Sequence, residues 1–433
     1  MNHHPRRRGA LALLVVLGVV AVGCGVAADP SAPQSRQVLV DYVSDEVASS
    51  FLYYFPRNVT VRPGDSVVFR QEWTGEPHSV TMGTMVDDMM SVVAPFIEEY
   101  GDRPEEEIPK KVLKTANKAL KGLPFMLDGG PDGLTVAQNV AQPCYLDTGG
   151  PPQKQDTPCA DEQQVQPAFN GRQSYYNSGF IPYQGPRGNE FTVELADDIE
   201  PGVYNYYCNV HGPFQSGTIT VADEGATIPS QEDVSRQARA EIEAEAEPLV
   251  SAFEAAPREG KAEIFGMTVA PPLAGWGIEE PGSHTTLNEF IPRDLEVAVG
   301  EPVEWTFVGF HTVSFEVPEY FAQVVIEDDG TVVFSEDATQ PVNSPTPEPP
   351  EGGGSGPPDG EEGGGEEGGG EGEGPPGPPE PPVIDAGTWD GEEFISSGTL
   401  EDGAKYRLAF SKPGSYPYAC LIHPQMVGTV EVR

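Results

Sequence analysis

Near the C-terminus stands Tyr416–Val432, YPYACLIHPQMVGTVEV, and earlier in the chain lies a counterpart, Tyr204–Val221, YNYYCNVHGPFQSGTITV. Each stretch alternates toward a cysteine, follows it with a histidine three residues on, and reopens an alternating run at a glycine. The positions are Cys420, His423, Met426 and Gly428 in one copy, and Cys208, His211, Gln215 and Gly217 in the other. Period-two alternation on both sides of a tight loop predicts strand, loop, strand. Upstream blocks repeat in the same order. FPRNVTVRPGDSVVF (55–69) parallels FIPRDLEVAVGEPVEW (290–305), GEPHSVTMG parallels GFHTVSF, and NSGF near Asn177 parallels SSGTL near Ser396. Matching blocks in one order mean two copies of one domain, each with its own core to bury.

The loop residues are metal ligands by type. Thiolate, imidazole and thioether are soft or borderline donors. With one further histidine they form the His₂Cys site with a weak axial Met that holds copper for electron transfer. His311 in GFHTVSF and His78 in GEPHSVTMG are the upstream candidates. An isolated Cys-x-x-His also suits zinc or haem attachment; the flanking β-runs, the upstream His and the duplication narrow it.

These residues resemble the copper loop of the cupredoxins (plastocyanin, amicyanin, pseudoazurin), and Cys-x-x-His-x-x-Met is most similar to that of amicyanin. The resemblance implies an all-β protein with two Greek-key β-sandwich (cupredoxin) domains and type 1 Cu, up to two per chain. One ion would be held by His311, Cys420, His423 and Met426, the other by His78, Cys208, His211 and Gln215. Axial Gln occurs in the stellacyanin-like branch, and a harder oxygen ligand favours Cu(II), so the first site is expected to have the lower reduction potential. A first domain that keeps the fold but binds copper poorly is the alternative. Thr312 and Ser79, just after the upstream histidines, are candidates for hydrogen bonds that pin the loops.

Residues 1–24 read as a targeting segment. Arg6, Arg7 and Arg8 precede an apolar run, Ala10–Val22, shorter than the ~20 residues a spanning helix needs. It ends AVGC, similar to a lipobox, which would make Cys24 a lipidated N-terminus anchored in the membrane. An ordinary signal peptide with a chance cysteine, or twin-arginine export, are alternatives. Each places the protein outside the cytoplasm, in the cell envelope, where a Cys144–Cys159 disulfide would persist.

Along the chain, 25–37 reads as a linker and 38–224 as the first domain, with an insertion at about 85–165. A helical connector follows at 225–260, then the second domain at 261–433. Within the insertion, Pro109–Leu120 has helical periodicity and carries Lys110, Lys111, Lys114 and Lys118, with Lys121 beside it. That basic face could dock an acidic partner or be merely solvated. Met82, Met85, Met89 and Met90 leave open a copper(I) site beside a packing role. In the connector, Ser230 with Asp233 predicts a capping box, and Pro248 is expected to kink or end the helix. The second insertion, about 338–382, is an acidic Gly/Pro/Glu loop with no basic residue and is expected to be disordered.

The net charge of −43 excludes nucleic-acid binding as a main activity, because neutralising phosphates requires Lys and Arg. The histidine count bears on catalysis. Of seven, His3 and His4 fall in the leader and four are assigned, leaving His284 in GSHTT. Multi-histidine oxidase or reductase centres cannot be assembled from that, so an electron carrier between redox proteins of the cell envelope is expected, not an enzyme. Electrons are expected to pass through exposed edges of His211 and His423. A copper-delivery protein or an interaction module are the alternatives, and the sequence leaves the oligomeric state open.

Overall fold

A computed structural model describes residues 32–42, 47–71, 75–101, 103, 107–124, 126–130, 133–141, 167–181, 189–277, 286–318, 323–327, 329–345 and 381–433. The alternating runs become strands, as their period dictates: Asn58–Val61, NVTV, is buried at every second residue, as is Ser66–Gln71, SVVFRQ. The first domain is a two-sheet sandwich. One sheet has the order Glu190–Glu194, Ser66–Gln71, Ser35–Val40, Tyr54–Phe55; the other runs Asn58–Val61, Gly212–Val221, Gly202–Cys208, Thr81–Met82, Tyr176–Asn177. Sequence neighbours are mostly not sheet neighbours, so the chain crosses between sheets in the Greek-key manner. The first strand starts at Ser35, taking the last residues of the expected 25–37 linker into the sandwich.

The second domain repeats this frame. Asp294–Val297, Val427–Val432, Gly414–Ala419, Ser314–Phe315 and Ile395–Ser396 stand in the order of their counterparts. Its other sheet contains Thr286–Ile291, Leu273–Trp276, Pro302–Phe307 and Lys405–Phe410, with Val383–Trp389 added at one edge. The glycine that reopens each terminal strand has a shared cause. A Cβ on Gly217 would lie 2.0 Å from the Arg57 carbonyl oxygen, and one on Gly428 2.4 Å from that of Arg293. Those carbonyls accept from Thr218 and Thr429 N–H, each at 2.9 Å.

Each domain has its own aromatic core, around Tyr54, Phe69 and Tyr206 in one and Trp305, Phe315 and Tyr418 in the other. A third apolar cluster joins them: Phe51, Tyr53 and Phe55 from the first domain, Ala238, Ile242 and Leu249 from the connector, and Leu273, Leu287 and Ile291 from the second. Ser49–Ser50 adds as an antiparallel edge strand to Thr286–Ile291 of the second domain. The buried Glu289 carboxylate accepts from Ala48 N–H at 2.8 Å and pairs with Arg293. The two sandwiches are therefore continuous in packing, which the sequence did not foretell.

The connector is one helix, Gln231–Ala255, capped by Ser230 and Asp233 as expected. Pro248 does not end it. Ile242 before the proline and Leu249 after it are both buried in the shared cluster, and that anchoring holds the helix across the missing N–H. Among its described residues the first insertion contains the helices Thr84–Tyr100 and Lys110–Leu120 and a short third, Gln138–Ala141; the periodicity had marked only the Lys-rich one. Met89 and Met90 pack there with Val86, Val93, Leu123, Tyr175 and Tyr207, in a hydrophobic role, while the five lysines point to solvent. The acidic loop begins later than 338: Glu336–Thr339 is a short helix capped by Ser335, and Val342 bridges to Ser396. Residues 346–380, the expected leader with Cys24, the expected disulfide pair Cys144 and Cys159, and His284 lie outside the described residues. Among the described residues no helix is long and apolar enough to cross a membrane.

Leu249 is fully buried in the cluster that both domains share. Leu249→Ala is expected to cost about 2–5 kcal/mol of stability. Denaturant unfolding should show the loss in one transition common to both domains, and a shift confined to one of two resolved transitions would contradict the shared core.

Candidate metal centres

The strand–loop–strand unit places each cysteine at the end of one strand and its histidine in the loop that follows. In the second domain Cys420 N–H donates to the Met426 carbonyl at 2.9 Å and Met426 N–H to the His423 carbonyl at 3.0 Å, folding the loop back on itself. Folding brings His311 across from the opposing strand. Cys420 Sγ is 3.6 Å from His423 Nδ1, and the Nδ1 atoms of His311 and His423 are 3.0 Å apart. All three residues are buried, as is Met426, in the same apolar cluster as the cysteine.

The first domain assembles the same set. Cys208 Sγ lies 3.6 Å from His211 Nδ1 and 4.0 Å from His78 Nδ1. Gln215 is fully buried, and its Oε1 sits 2.9 Å from His211 Nδ1 and 3.1 Å from His78 Nδ1. The harder donor thus faces the same point as the two imidazoles. In each site the His and Cys donor atoms lie within 4.8 Å of one another.

Hydrogen bonds fix these groups. Backbone N–H groups donate to the sulfurs, Ser79 to Cys208 at 3.4 Å and Thr312 to Cys420 at 3.3 Å. The Ser79 and Thr312 hydroxyls accept from Asn209 and Leu421 N–H, each at 2.8 Å, tying the upstream strand to the loop. Every site histidine turns Nε2 toward an oxygen: His78 to Asp41 at 3.0 Å, His311 to the Val308 carbonyl at 3.1 Å, His423 to Glu76 at 3.1 Å and His211 to Glu76 at 3.5 Å. With Nε2 donating its proton outward, Nδ1 keeps its lone pair for the interior.

Burial alone would raise both thiols. The facing imidazoles outweigh it and hold Cys208 and Cys420 well below the usual thiol range. A thiolate and two imidazole nitrogens turned to one point repel unless a proton or cation stands among them. The donor set is therefore suited to a soft or borderline metal ion such as copper.

Besides Gln215 against Met426, the two sites differ at one register position on the upstream strand. Leu39 and Leu273 pair with Phe55 and Ile291, so Asp41 and Gly275 are equivalent, and both have positive φ (62° and 90°). Asp41 presents a carboxylate to His78; its other oxygen accepts from Tyr42 and Phe51 N–H at 2.6 and 2.7 Å. At Gly275 a Cβ would come within 2.3 Å of His311 Nε2, and a neutral carbonyl serves that ring instead. Burial lowers both histidines. Asp41 and Cys208 reverse this for His78, raising it to about 9, while His311 stays below its ordinary value.

The histidine edges are not the exposed ports anticipated. His423 keeps 4% of its side chain exposed and His211 16%, and both turn Nε2 to Glu76 of the first domain. Neither Asp41 nor Glu76 was legible beforehand. Glu76 stands two residues before His78, but spacing alone marks it as an ordinary loop acid.

No protein-family model matches the chain, and no curated protein matches it. Among solved structures it is similar to a purple cupredoxin from Nitrosopumilus maritimus, at 18% identity over 34% of this chain and 83% of that one, with a TM-score of 0.15. It is similar also to a reduced auracyanin from Roseiflexus castenholzii, at 18% identity over 43% and 96%, with a TM-score of 0.18. A Cu-containing nitrite reductase from Thermus scotoductus SA-01 aligns with 94% of this chain and 68% of its own at 14% identity, with a TM-score of 0.17. Both domains are two-sheet β-sandwiches of Greek-key connectivity, as expected.

In the metal-free protein, Asp41→Asn removes a partner that raises His78 and leaves burial to lower it. The His78 titration, followed by NMR of the imidazole, is expected to fall from about 9, whereas an unchanged midpoint would remove Asp41 from the account.

Proposed function

We propose that the chain is an extracytoplasmic, lipid-anchored carrier of single electrons with one type 1 copper in each cupredoxin-like domain. His311, Cys420, His423 and Met426 would hold one ion, and His78, Cys208, His211 and Gln215 the other. Cys24 would supply the anchor, and the partners would be redox proteins of the cell envelope. The observation that carries this reading is the doubled convergence of a buried sulfur and two Nδ1 atoms, each ring oriented by an outward acceptor.

Copper bound there supplies a one-electron couple, and the protein supplies rigidity. Buried ligands on strand ends, pinned by Ser79 and Thr312, keep one geometry whichever oxidation state they meet. A catalytic copper centre needs several further histidines, and beyond the eight assigned ligands the chain offers one outside its leader, His284. Electron transfer without substrate turnover follows from that count.

Two features lower the potential of the Cys208 site relative to the Cys420 site: the Gln215 oxygen in place of a thioether, and the Asp41 carboxylate that makes His78 a stronger donor. Copper-loaded protein is expected to hold two ions per chain and to show two type 1 signals by visible and EPR spectroscopy. Cys208→Ser should remove the signal of lower potential and Cys420→Ser the other. Fewer than two ions per chain, or rapid loss of copper to a chelator without a reversible one-electron titration, would favour metal delivery instead.

A further inference from the structure

We infer that Glu76 couples the two centres, so that an electron arriving at the Cys208 site passes within the chain to the Cys420 site; this rests on the copper reading above. One carboxylate receives the outer edges of a ligand from each domain, its Oε2 3.5 Å from His211 Nε2 and its Oε1 3.1 Å from His423 Nε2. Each of those rings stands 3.6 Å from its own cysteine sulfur through Nδ1. The route from sulfur to sulfur therefore crosses two rings and one carboxylate with short polar contacts between them.

The approach is built into the backbone. Gly75 has φ +106°, and a Cβ there would fall 1.7 Å from the Ile422 carbonyl oxygen and 3.0 Å from His423 Cδ2. Only glycine lets the loop of one domain lie against the ligand loop of the other. Buried Gln71 fixes the next residue by donating from Nε2 to the Glu76 carbonyl at 3.0 Å. The carboxylate itself keeps 23% of its side chain exposed.

The step balances as one electron. With copper in both sites, the one electron given up at the Cys208 site would be the one taken up at the Cys420 site. No proton need move in that step, because both Nε2 atoms face the Glu76 carboxylate. The more electron-rich first site gives the transfer its direction.

The test uses the full copper-loaded chain in its oxidised form, given less than one equivalent of a photogenerated one-electron reductant, with the two visible bands followed in time. A first-order phase independent of protein concentration is expected as the electron moves between sites. Glu76→Gln, nearly isosteric, should slow that phase at least about tenfold, the low end of what losing a ligand's outer hydrogen-bond partner costs. It should also raise both reduction potentials, which a purely structural role would not do. Gly75→Ala should slow the phase with the carboxylate retained, by separating the loops. The inference is overturned if the wild-type phase depends on concentration, or if both variants keep their bands and the wild-type rate. Copper at only one site would instead overturn the functional reading beneath it.

Discussion

The arrangement depends on how each imidazole divides its two nitrogens. A histidine offers a lone pair inward only if its other nitrogen has somewhere to place a proton, and all four rings find an oxygen on that side: Asp41, the Val308 carbonyl, and Glu76 twice. Remove the outward acceptor and the tautomer is free to change, at which point a buried N–H would face a buried sulfur. The sandwich supplies these acceptors from loops at one end, which is why the sites form only after strands distant in sequence have closed.

That requirement also accounts for the joint between domains. Burial alone would raise the Glu76 carboxyl, but the hydrogen bonds from His211 and His423 hold it well below the usual carboxylate range, so it meets both rings as an anion. An anion shared by two rings must be held in place, and the shared apolar cluster does so. The edge strand at Ser49–Ser50 and the helix through Pro248 are parts of one clamp that keeps the loops apposed.

Much of this was legible in the residues. Period-two alternation gave the strands, and the repeated blocks gave two sandwiches and the six residues His78, Cys208, His211, His311, Cys420 and His423 that converge in two groups, because strand period and loop length are local properties. Asp41 and Glu76 were not legible, since their roles come from three-dimensional apposition: one follows a strand and the other lies in a short loop, and neither position has a local signature. The Thr84–Tyr100 helix went unread because its cap is a glycine without a side-chain bond and Pro95 interrupts the pattern. Pro248 misled for the opposite reason, as tertiary burial on both sides overrode a local rule.

The same frame holding unequal surroundings gives the pair of sites a polarity. If both copies used a neutral carbonyl and a thioether, their affinities for an electron would match, and a bridge between them would carry traffic equally both ways. Under the proposed function, Asp41 against Gly275 and Gln215 against Met426 would both shift electron density toward the first site. Glu76 cannot supply that bias, because it touches one ring in each domain. Under the proposed transfer its contribution would be proximity, while direction would come from residues that each site keeps to itself.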